Sequence, residues 1–301
     1  GISVNLVTQD KILKGNEVKE TRNVRIYTPN VDNSIFSIFL EGLKNLYSSH
    51  FLAYQIAKRD ISAQYRQSFL GILWSIVLPL STAAVWIFMK NSNTVSLSDT
   101  GIYYPVFVFT GTMAWAILTE TIMGTINVTQ TMRSTLSKIN FPKEALITAG
   151  IYKTLFNVFI KLIILSILLI VFKQNISWSI SLFPIALFMM ILFGTSIGLL
   201  ITPIGLLYGD VGKLMTPFMQ VLMYFSPVVF VLPSYDNAIG RILYYNPLTP
   251  LVNNFRNILV GQNFEQVSYY ISIGLGSLLL FCIALIFYKI TIPVITERIG
   301  G

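Results

Sequence analysis

Few side chains in this sequence can carry catalytic or metal chemistry. The 301-residue chain has one histidine, His50, and one cysteine, Cys282. A single histidine has no partner for a metal pair or a catalytic triad, and a single cysteine forms no intrachain disulfide or cysteine metal cluster. The chain also lacks a G-x-x-x-x-G-K-[ST] phosphate loop, because its nearest approach, GDVGK at 209–213, is too short. We therefore expect no catalytic residue, no metal and no cofactor in this chain.

Three ionisable side chains lie inside long apolar segments, where a charge is costly and usually faces protein or water. They are Glu120, Lys153 and Lys161. Lys153 can extend its ammonium group to a membrane surface. For Glu120 and Lys161 we predict either an interhelical ion pair or a place on the wall of a channel.

The composition is that of a membrane protein. Hydrophobic residues make up 54% of the chain and charged residues only 11%, against roughly a quarter in soluble domains. The net charge of +8 does not indicate nucleic acid as a partner, because the Lys and Arg residues lie mostly at the edges of apolar runs. That placement is typical of residues that orient membrane spans.

The apolar runs predict an all-α, polytopic membrane protein with six transmembrane helices, since a bilayer core needs about 20 apolar residues in a helix. The predicted spans are 69–89, 102–128, 145–172, 176–208, 214–232 and 267–288. Fifteen Lys and Arg residues fall on the side of the termini and four on the other side, which predicts that both termini are cytoplasmic.

The predicted membrane domain covers residues 51–290, between an N-terminal arm at 1–50 and a short tail at 291–301. The arm shows no sustained periodicity, so we expect it to be loosely structured apart from a short helix near 35–47. We expect both flanking segments to be cytoplasmic.

The segment before the first span has an apolar stripe at helical spacing, formed by Tyr54, Ala57, Ile61, Tyr65 and Phe69. Charged and polar residues fill most of the remaining surface. This pattern predicts an N-terminal amphipathic helix that lies in the membrane interface. The simpler interpretation of its basic residues is that they only orient the first span.

The segment between spans five and six, Pro233–Gln266, is rich in both apolar residues and turn formers. We predict two short helices broken at Asn246, Pro247 and Pro250, because proline cannot continue a helix. They are too short to cross the membrane and are expected to dip into its external edge as re-entrant gate helices.

At this point the residues resemble a known family. KRDISAQYRQSFLGILWSIVLPL resembles the start of the membrane domain in permease subunits of type-2 ABC exporters, through Arg59, Asp60, Tyr65, Arg66, Ser68, Gly71, Trp74 and Pro79. Three further stretches resemble the family in order, namely INFPKEAL (139–146), YGDVGKLMTPFMQVLMYFSPVVF (208–230) and YNPLTPLVNNFRNILVGQ (245–262). The family more often has Arg-Asp at the position of Gly209 and Asp210, so no arginine salt bridge is carried over there.

The resemblance implies a permease that exports lipid-linked polysaccharide, such as O-antigen, capsule or teichoic acid, across the bacterial inner membrane. It implies a homodimer with two ATPase subunits, which would bind ATP and Mg. The polymer, its lipid carrier and the type of cell envelope stay open.

The resemblance also implies roles for particular residues. Substrate access and contact with the pyrophosphate head fall to Lys58, Arg59, Tyr65 and Arg66. The channel wall is expected to include Trp74, Trp115, Glu120, Lys161, Tyr224 and Phe225. Coupling to the ATPase falls to the loop residues Arg133, Lys138, Phe141, Pro142, Lys143 and Glu144. The external gate is expected to contain Tyr244, Tyr245, Asn246, Pro247 and Arg256.

Three alternatives remain at this stage. The same fold can export drugs or small lipids. A membrane-embedded enzyme that modifies glycans would need a catalytic histidine or a carboxylate cluster, for which His50 and Asp60 give weak support. A proton-coupled secondary transporter would favour inverted repeats and carboxylates at mid-membrane, of which Glu120 is a single instance.

Overall fold

The computed structural model describes residues 2–6, 25–29, 34–66, 71–94, 98–136, 138–174 and 177–300. Two short antiparallel strands pair near the N-terminus, β1 (Ile2–Leu6) and β2 (Arg25–Pro29). The rest of the described chain is helical, with the following helices: α1 (Ile35–Ser48), α2 (His50–Arg66), α3 (Trp74–Asn91), α4 (Tyr104–Thr131), α5 (Arg133–Leu136), α6 (Ala145–Val171), α7 (Phe183–Leu207), α8 (Gly209–Tyr224), α9 (Ala238–Tyr245), α10 (Leu248–Val260) and α11 (Val267–Gly300). Short 3-10 turns, Gly71–Leu73 and Trp178–Leu182, precede α3 and α7.

Helix α4 is the centre of the fold. Most of its residues are buried, and it contacts α3, α6, α7, α8 and α10. Glycines allow two of these neighbours to approach its backbone, since Gly150 of α6 lies against Gly124, and Gly194 and Gly198 of α7 lie against Thr121 and Ile122. Small residues at helix crossings are typical of membrane proteins, where close backbone packing supplies much of the association energy.

Among the described residues, four helical segments are long and apolar enough to cross a membrane. They are Tyr104–Thr131, Ala145–Val171, Trp178–Leu207 and Val267–Arg298. Helices α3 and α8 have 18 and 16 residues, which at 1.5 Å per residue gives about 27 and 24 Å against a hydrocarbon core of about 30 Å. The six predicted spans thus correspond to four helices of full spanning length and two shorter ones.

The predicted spans differ most from the helices at the ends of spans five and six. The predicted fifth span, 214–232, is wrong at its end, because α8 stops at Tyr224 and turns lead to Ser226 and Pro227. Proline donates no backbone hydrogen bond and disfavours helical geometry in the residue before it. Helix α11, which corresponds to the predicted sixth span, continues past the predicted end at 288 and includes most of the segment predicted as a tail. The starts predicted at Phe69 and Ile176 lie outside the described residues.

Helix α2 packs against α6, so its buried face contacts protein. The predicted apolar stripe overlaps this face only in part, because Ala57 is buried whereas Tyr54 is exposed. Ala53 and Ile56 complete the buried face, and the small alanines allow α6 to approach closely. Phe69 of the stripe lies outside the described residues. The helix predicted near 35–47 is present as α1, whereas the strands β1 and β2 were not predicted.

The segment between α8 and α11 contains the two short helices α9 and α10. The predicted break at Asn246 and Pro247 is present, and the Asn246 side chain accepts a hydrogen bond from the N–H of Leu248 at 3.0 Å. Pro250 does not break the chain, because it lies in the first turn of α10, where its missing N–H is not needed. Every residue of α10 is buried, and it packs on α4 and α7.

Candidate functional site

A cavity of about 440 Å³ lies between α2, α3, α4, α6 and α8. Among the described residues, three aromatic side chains line it, Tyr65 from α2, Trp74 from α3 and Trp115 from α4. Trp115 is buried in the core of the chain, whereas Trp74 is half exposed. The cavity therefore joins one aromatic residue predicted for substrate access with two aromatic residues predicted for a channel wall.

Amide and hydroxyl side chains supply most of the polar lining of this cavity. The amides are Gln64, Asn127, Asn157 and Gln220, and the hydroxyls other than that of Tyr65 are Thr82, Thr112, Thr119 and Thr216. Amides both donate and accept hydrogen bonds, as threonine hydroxyls do. The lining therefore suits a ligand that carries many hydroxyl groups.

An ion pair and an amide form a hydrogen-bonded network on one wall of the cavity. Lys161 Nζ lies 3.3 Å from Glu120 Oε2, which is the interhelical pair predicted from the sequence. Asn157 Nδ2 donates to Glu120 Oε1 at 2.6 Å, and the Tyr65 hydroxyl donates to Asn157 Oδ1 at 3.0 Å. The network thereby connects α2, α6 and α4.

Asn157 was missed in the sequence reasoning, although a signal for it was present. Lys153, Asn157 and Lys161 are spaced by four residues within one apolar run. This spacing places all three on one face of a helix. A polar face on an otherwise apolar helix would have predicted a lined cavity rather than a single ion pair.

Two of the aromatic residues predicted for the channel wall, Tyr224 and Phe225, do not line this cavity. Tyr224 instead contacts Trp86 of α3, with ring centroids 6.3 Å apart. Both Tyr224 and Phe225 are more than half exposed at the end of α8.

The basic residues predicted for substrate access lie on the outer surface of α2. Lys58 and Arg66 are exposed, and neither lines the cavity. Arg59 is half exposed and donates through Nε and Nη2 to Asp60 Oδ1, at 3.0 and 2.7 Å. The guanidinium of Arg59 is therefore already engaged by a neighbouring carboxylate.

The loop that follows α4, predicted to couple to an ATPase, folds back on itself through Lys143. Its ammonium donates to the carbonyls of Leu136 and Ile139, at 3.1 and 3.2 Å, and lies 4.4 Å from the ring centroid of Phe141. Burial lowers the pKa of the Lys143 ammonium. Arg133 is half-buried in the same segment, and Lys138 and Pro142 are the predicted coupling residues that the fold leaves exposed.

Glu144 points into the protein. It is buried, accepts a hydrogen bond from Asn45 Nδ2 at 3.1 Å and lies 3.6 Å from Lys289 Nζ. The Tyr288 hydroxyl also donates to the carbonyl of Lys143, at 3.0 Å. These contacts attach the loop to α1 and α11.

Arg256, predicted as a gate residue, is one of the largest fully buried side chains. Its Nη2 donates to the carbonyls of Pro227 and Val228, at 3.1 and 2.6 Å, and its Nε donates to the carbonyl of Phe107 at 3.2 Å. The guanidinium carbon lies 3.6 Å from the centroid of the Phe107 ring. Gly111 leaves the space for this arrangement, since a Cβ there would overlap Val228 and Arg256.

The other predicted gate residues lie at the junction of α9 and α10. Tyr244 and Tyr245 form an aromatic cluster with Tyr235, whose hydroxyl lies 2.9 Å from that of Tyr245. Asn246 Nδ2 donates to the carbonyl of Phe225 at 2.7 Å, which connects this junction to the end of α8. Pro247 is exposed beside it.

Comparison with known proteins identifies the family. Residues 52–260 match the family described as ABC-2 type transporter, which is most of the chain. The chain belongs to the ABC-2 type transporter family. The motifs in the sequence predicted this family, and with its four long apolar helices the chain is a multi-pass membrane protein.

Relatives within the ABC-2 type transporter family include permeases named for O-antigen export. The chain is 22% identical over 240 residues to the O-antigen export system permease protein RfbA of Myxococcus xanthus, across 79% of this chain and 91% of that protein. It is 20% identical over 220 residues to a protein of the same name from Klebsiella pneumoniae, across 71% of this chain and 82% of that protein.

Proposed function

We propose that this chain is the membrane-spanning subunit of an ATP-driven exporter that moves lipid-linked polysaccharide outward, and that the cavity forms part of the glycan path. Two copies of the chain would form the complete path. Membership of the ABC-2 type transporter family and the names of the O-antigen permeases support this proposal.

The observation that carries the proposal is the lining of the cavity. Trp74 and Trp115 offer large aromatic surfaces, on which the apolar faces of sugar rings can stack without fixed register. The surrounding amides and hydroxyls can exchange hydrogen bonds with sugar hydroxyls. Stacking combined with exchangeable hydrogen bonds suits a polymer that must slide.

Energy for export is proposed to come from two separate ATPase subunits, which bind ATP and Mg. The sequence has no phosphate loop of its own, and the family is a transporter family. Lys138 and Pro142, exposed in the loop after α4, are the proposed points of contact. Lys143 and Glu144 hold that loop in shape rather than touching the ATPase.

The proposed location is the bacterial inner membrane, with both termini in the cytoplasm. Helices α3 and α8 then complete six spans, and α9 and α10 form the external gate. The distribution of Lys and Arg supports this orientation. The burial of α10 against α4 and α7 supports a membrane-embedded position for the gate.

An export assay with tryptophan variants tests this function. In cells whose own copy is deleted, Trp74→Ala and Trp115→Phe are expected to reduce surface polysaccharide at least tenfold and to cause lipid-linked glycan to accumulate inside. Trp74 is half exposed and Trp115→Phe keeps a ring, so both variants should fold. Trp178→Ala is the matched control, because Trp178 is 90% exposed and lies outside the cavity.

Two outcomes would contradict the proposal. If both cavity variants produce as much surface polysaccharide as the parent chain, the cavity is not part of the glycan path. If cells that lack the chain altogether have normal surface polysaccharide, the chain does not have the proposed export function.

A further inference from the structure

The cavity contains a single pair of opposite charges among its described lining residues. Glu120 supplies the one carboxylate and Lys161 the one ammonium group. Between Arg66, the last residue of α2, and Trp74, the first residue of α3, the sequence has no ionisable side chain. The lining therefore has no net charge.

Neither member of this pair is available to a second charged group. The Lys161 side chain is 5% exposed, and its ammonium lies against Glu120. Glu120 accepts from Lys161 at one oxygen and from Asn157 at the other, so that both carboxylate oxygens already have donors. An anion that entered the cavity would find amides and hydroxyls but no free cation among these lining residues.

The basic residues near the cavity are kept outside it. Lys58, Arg59 and Arg66 lie on α2 but do not contribute to the lining. The groups suited to a phosphate are thus separated from the groups suited to sugar hydroxyls. This separation is what a lipid-linked glycan requires if its head is charged and its polymer is not.

We propose that the cavity binds uncharged sugar residues and excludes anionic polymers such as polyuronates and poly(glycerol phosphate). This inference rests on the proposed function, because it names the class of glycan that the proposed path accepts. Moving a carboxylate or a phosphodiester from water into a partly enclosed site is unfavourable unless a cation or several donors compensate. Lys161, the one cation of the described lining, is already paired with Glu120 and does not compensate for a second anion.

Binding measurements on the purified full-length chain in lipid nanodiscs test the charge preference. The variant background Trp86→Phe with Trp178→Phe leaves Trp74 and Trp115, both in the cavity, as the fluorescent reporters. The probes are mannohexaose as the neutral oligosaccharide, and hexagalacturonate and a glycerol phosphate hexamer as the anionic ones. In this background we expect mannohexaose to quench the fluorescence, and both anionic probes to bind at least tenfold more weakly.

Two variants that free or add a cation are expected to reduce or abolish this preference. Glu120→Gln releases Lys161, and Asn127→Lys adds an ammonium at an exposed position of the lining without changing the pair. Each is expected to tighten binding of the anionic probes at least tenfold. Thr131→Lys is the matched control, because it adds the same charge one turn further along α4, outside the lining.

The proposal is overturned if the anionic probes bind the background protein as tightly as mannohexaose. It is also overturned if no probe binds, or if Asn127→Lys and Thr131→Lys behave alike. These results concern selectivity alone and would leave the export assay unchanged. A refutation of the proposed export function would instead appear as normal surface polysaccharide in cells that lack the chain.

Discussion

The buried guanidinium of Arg256 leads to a quantitative stability prediction. Arg256→Met removes the donor to the carbonyls of Pro227 and Val228, and no backbone N–H of the described residues bonds to either carbonyl. Each buried acceptor left without a donor costs about 1–3 kcal/mol. Two such acceptors give an expected loss of about 2–6 kcal/mol in the free energy of unfolding.

Two further effects act in opposite directions, and the expected range takes them to offset each other. The variant loses the contact between the guanidinium and the Phe107 ring, but it no longer buries a charge. For a chain of a few hundred residues, 1 kcal/mol shifts the melting temperature by roughly 2–4 °C. Arg256→Met is therefore expected to melt at least about 4 °C below the parent chain.

Thermal unfolding in detergent, followed by the loss of monodisperse protein in size-exclusion chromatography, measures this shift. Arg241→Met is the matched control, because Arg241 is exposed on α9 and its loss should change stability by less than about 0.5 kcal/mol. Gly111→Ala provides an independent perturbation, since its Cβ would overlap the carbonyl of Val228. If Arg256→Met and Arg241→Met melt at the same temperature, Arg256 does not stabilise these carbonyls and the reasoning is refuted.

Three further changes test other contacts. Reversing the ion pair with Glu120→Lys and Lys161→Glu together is expected to restore the surface polysaccharide lost in either single variant, because an opposite-charge pair forms again. Gly198→Ala is expected to lower the melting temperature, because its Cβ would overlap the Ile122 carbonyl, and overpacking costs about 1–3 kcal/mol. Lys143→Met is expected to reduce export while membrane insertion stays normal, because two loop carbonyls lose their donor.

Two of these changes have a matched control within the chain. Gly276→Ala lies on α11 in open space, and it should melt at or slightly above the temperature of the parent chain. Lys213→Met removes an exposed base on α8, outside this loop, and equal loss of export in both variants would indicate that charge matters rather than loop shape. A double reversal at Glu120 and Lys161 that stays inactive would count against a role for their pairing.

Much of the helical framework could be predicted from the sequence, because length and apolar composition decide which segments cross a bilayer. Helix α6 begins at Ala145, where the third span was predicted to begin. The break before α10 follows from Asn246 and Pro247. The end of α8 at Tyr224 was missed because the apolar run continues past it, although Pro227 signals that the helix cannot.

Contacts between distant segments could not be predicted in the same way. Tyr65 and Asn157 are 92 residues apart, and Arg256 and Phe107 are 149 residues apart. The periodicity of apolar residues within a segment does not indicate which helices become neighbours. The ionisable residues of the cavity could be predicted from their cost in an apolar run, and Asn157 from its spacing to Lys153 and Lys161, whereas the other amides could not, because uncharged polar residues are tolerated in many places in a membrane helix.

The strands β1 and β2 were missed for a different reason. Ile2, Val4 and Leu6 alternate with polar residues, which is the period of a strand, but over only five residues. A pattern this short is easily taken for a chance arrangement.

Helix α4 has a consequence for how the two ends of the molecule depend on each other. One end contacts Arg256 through Phe107, and the other leads directly into α5, so about 42 Å of unbroken helix joins them. The rotation of one end about the helix axis is therefore fixed relative to the other end. Inserting a single residue midway along α4 would rotate one end against the other by about 100°. After such an insertion, one end of α4 could keep its contacts only if the contacts of the other end were lost.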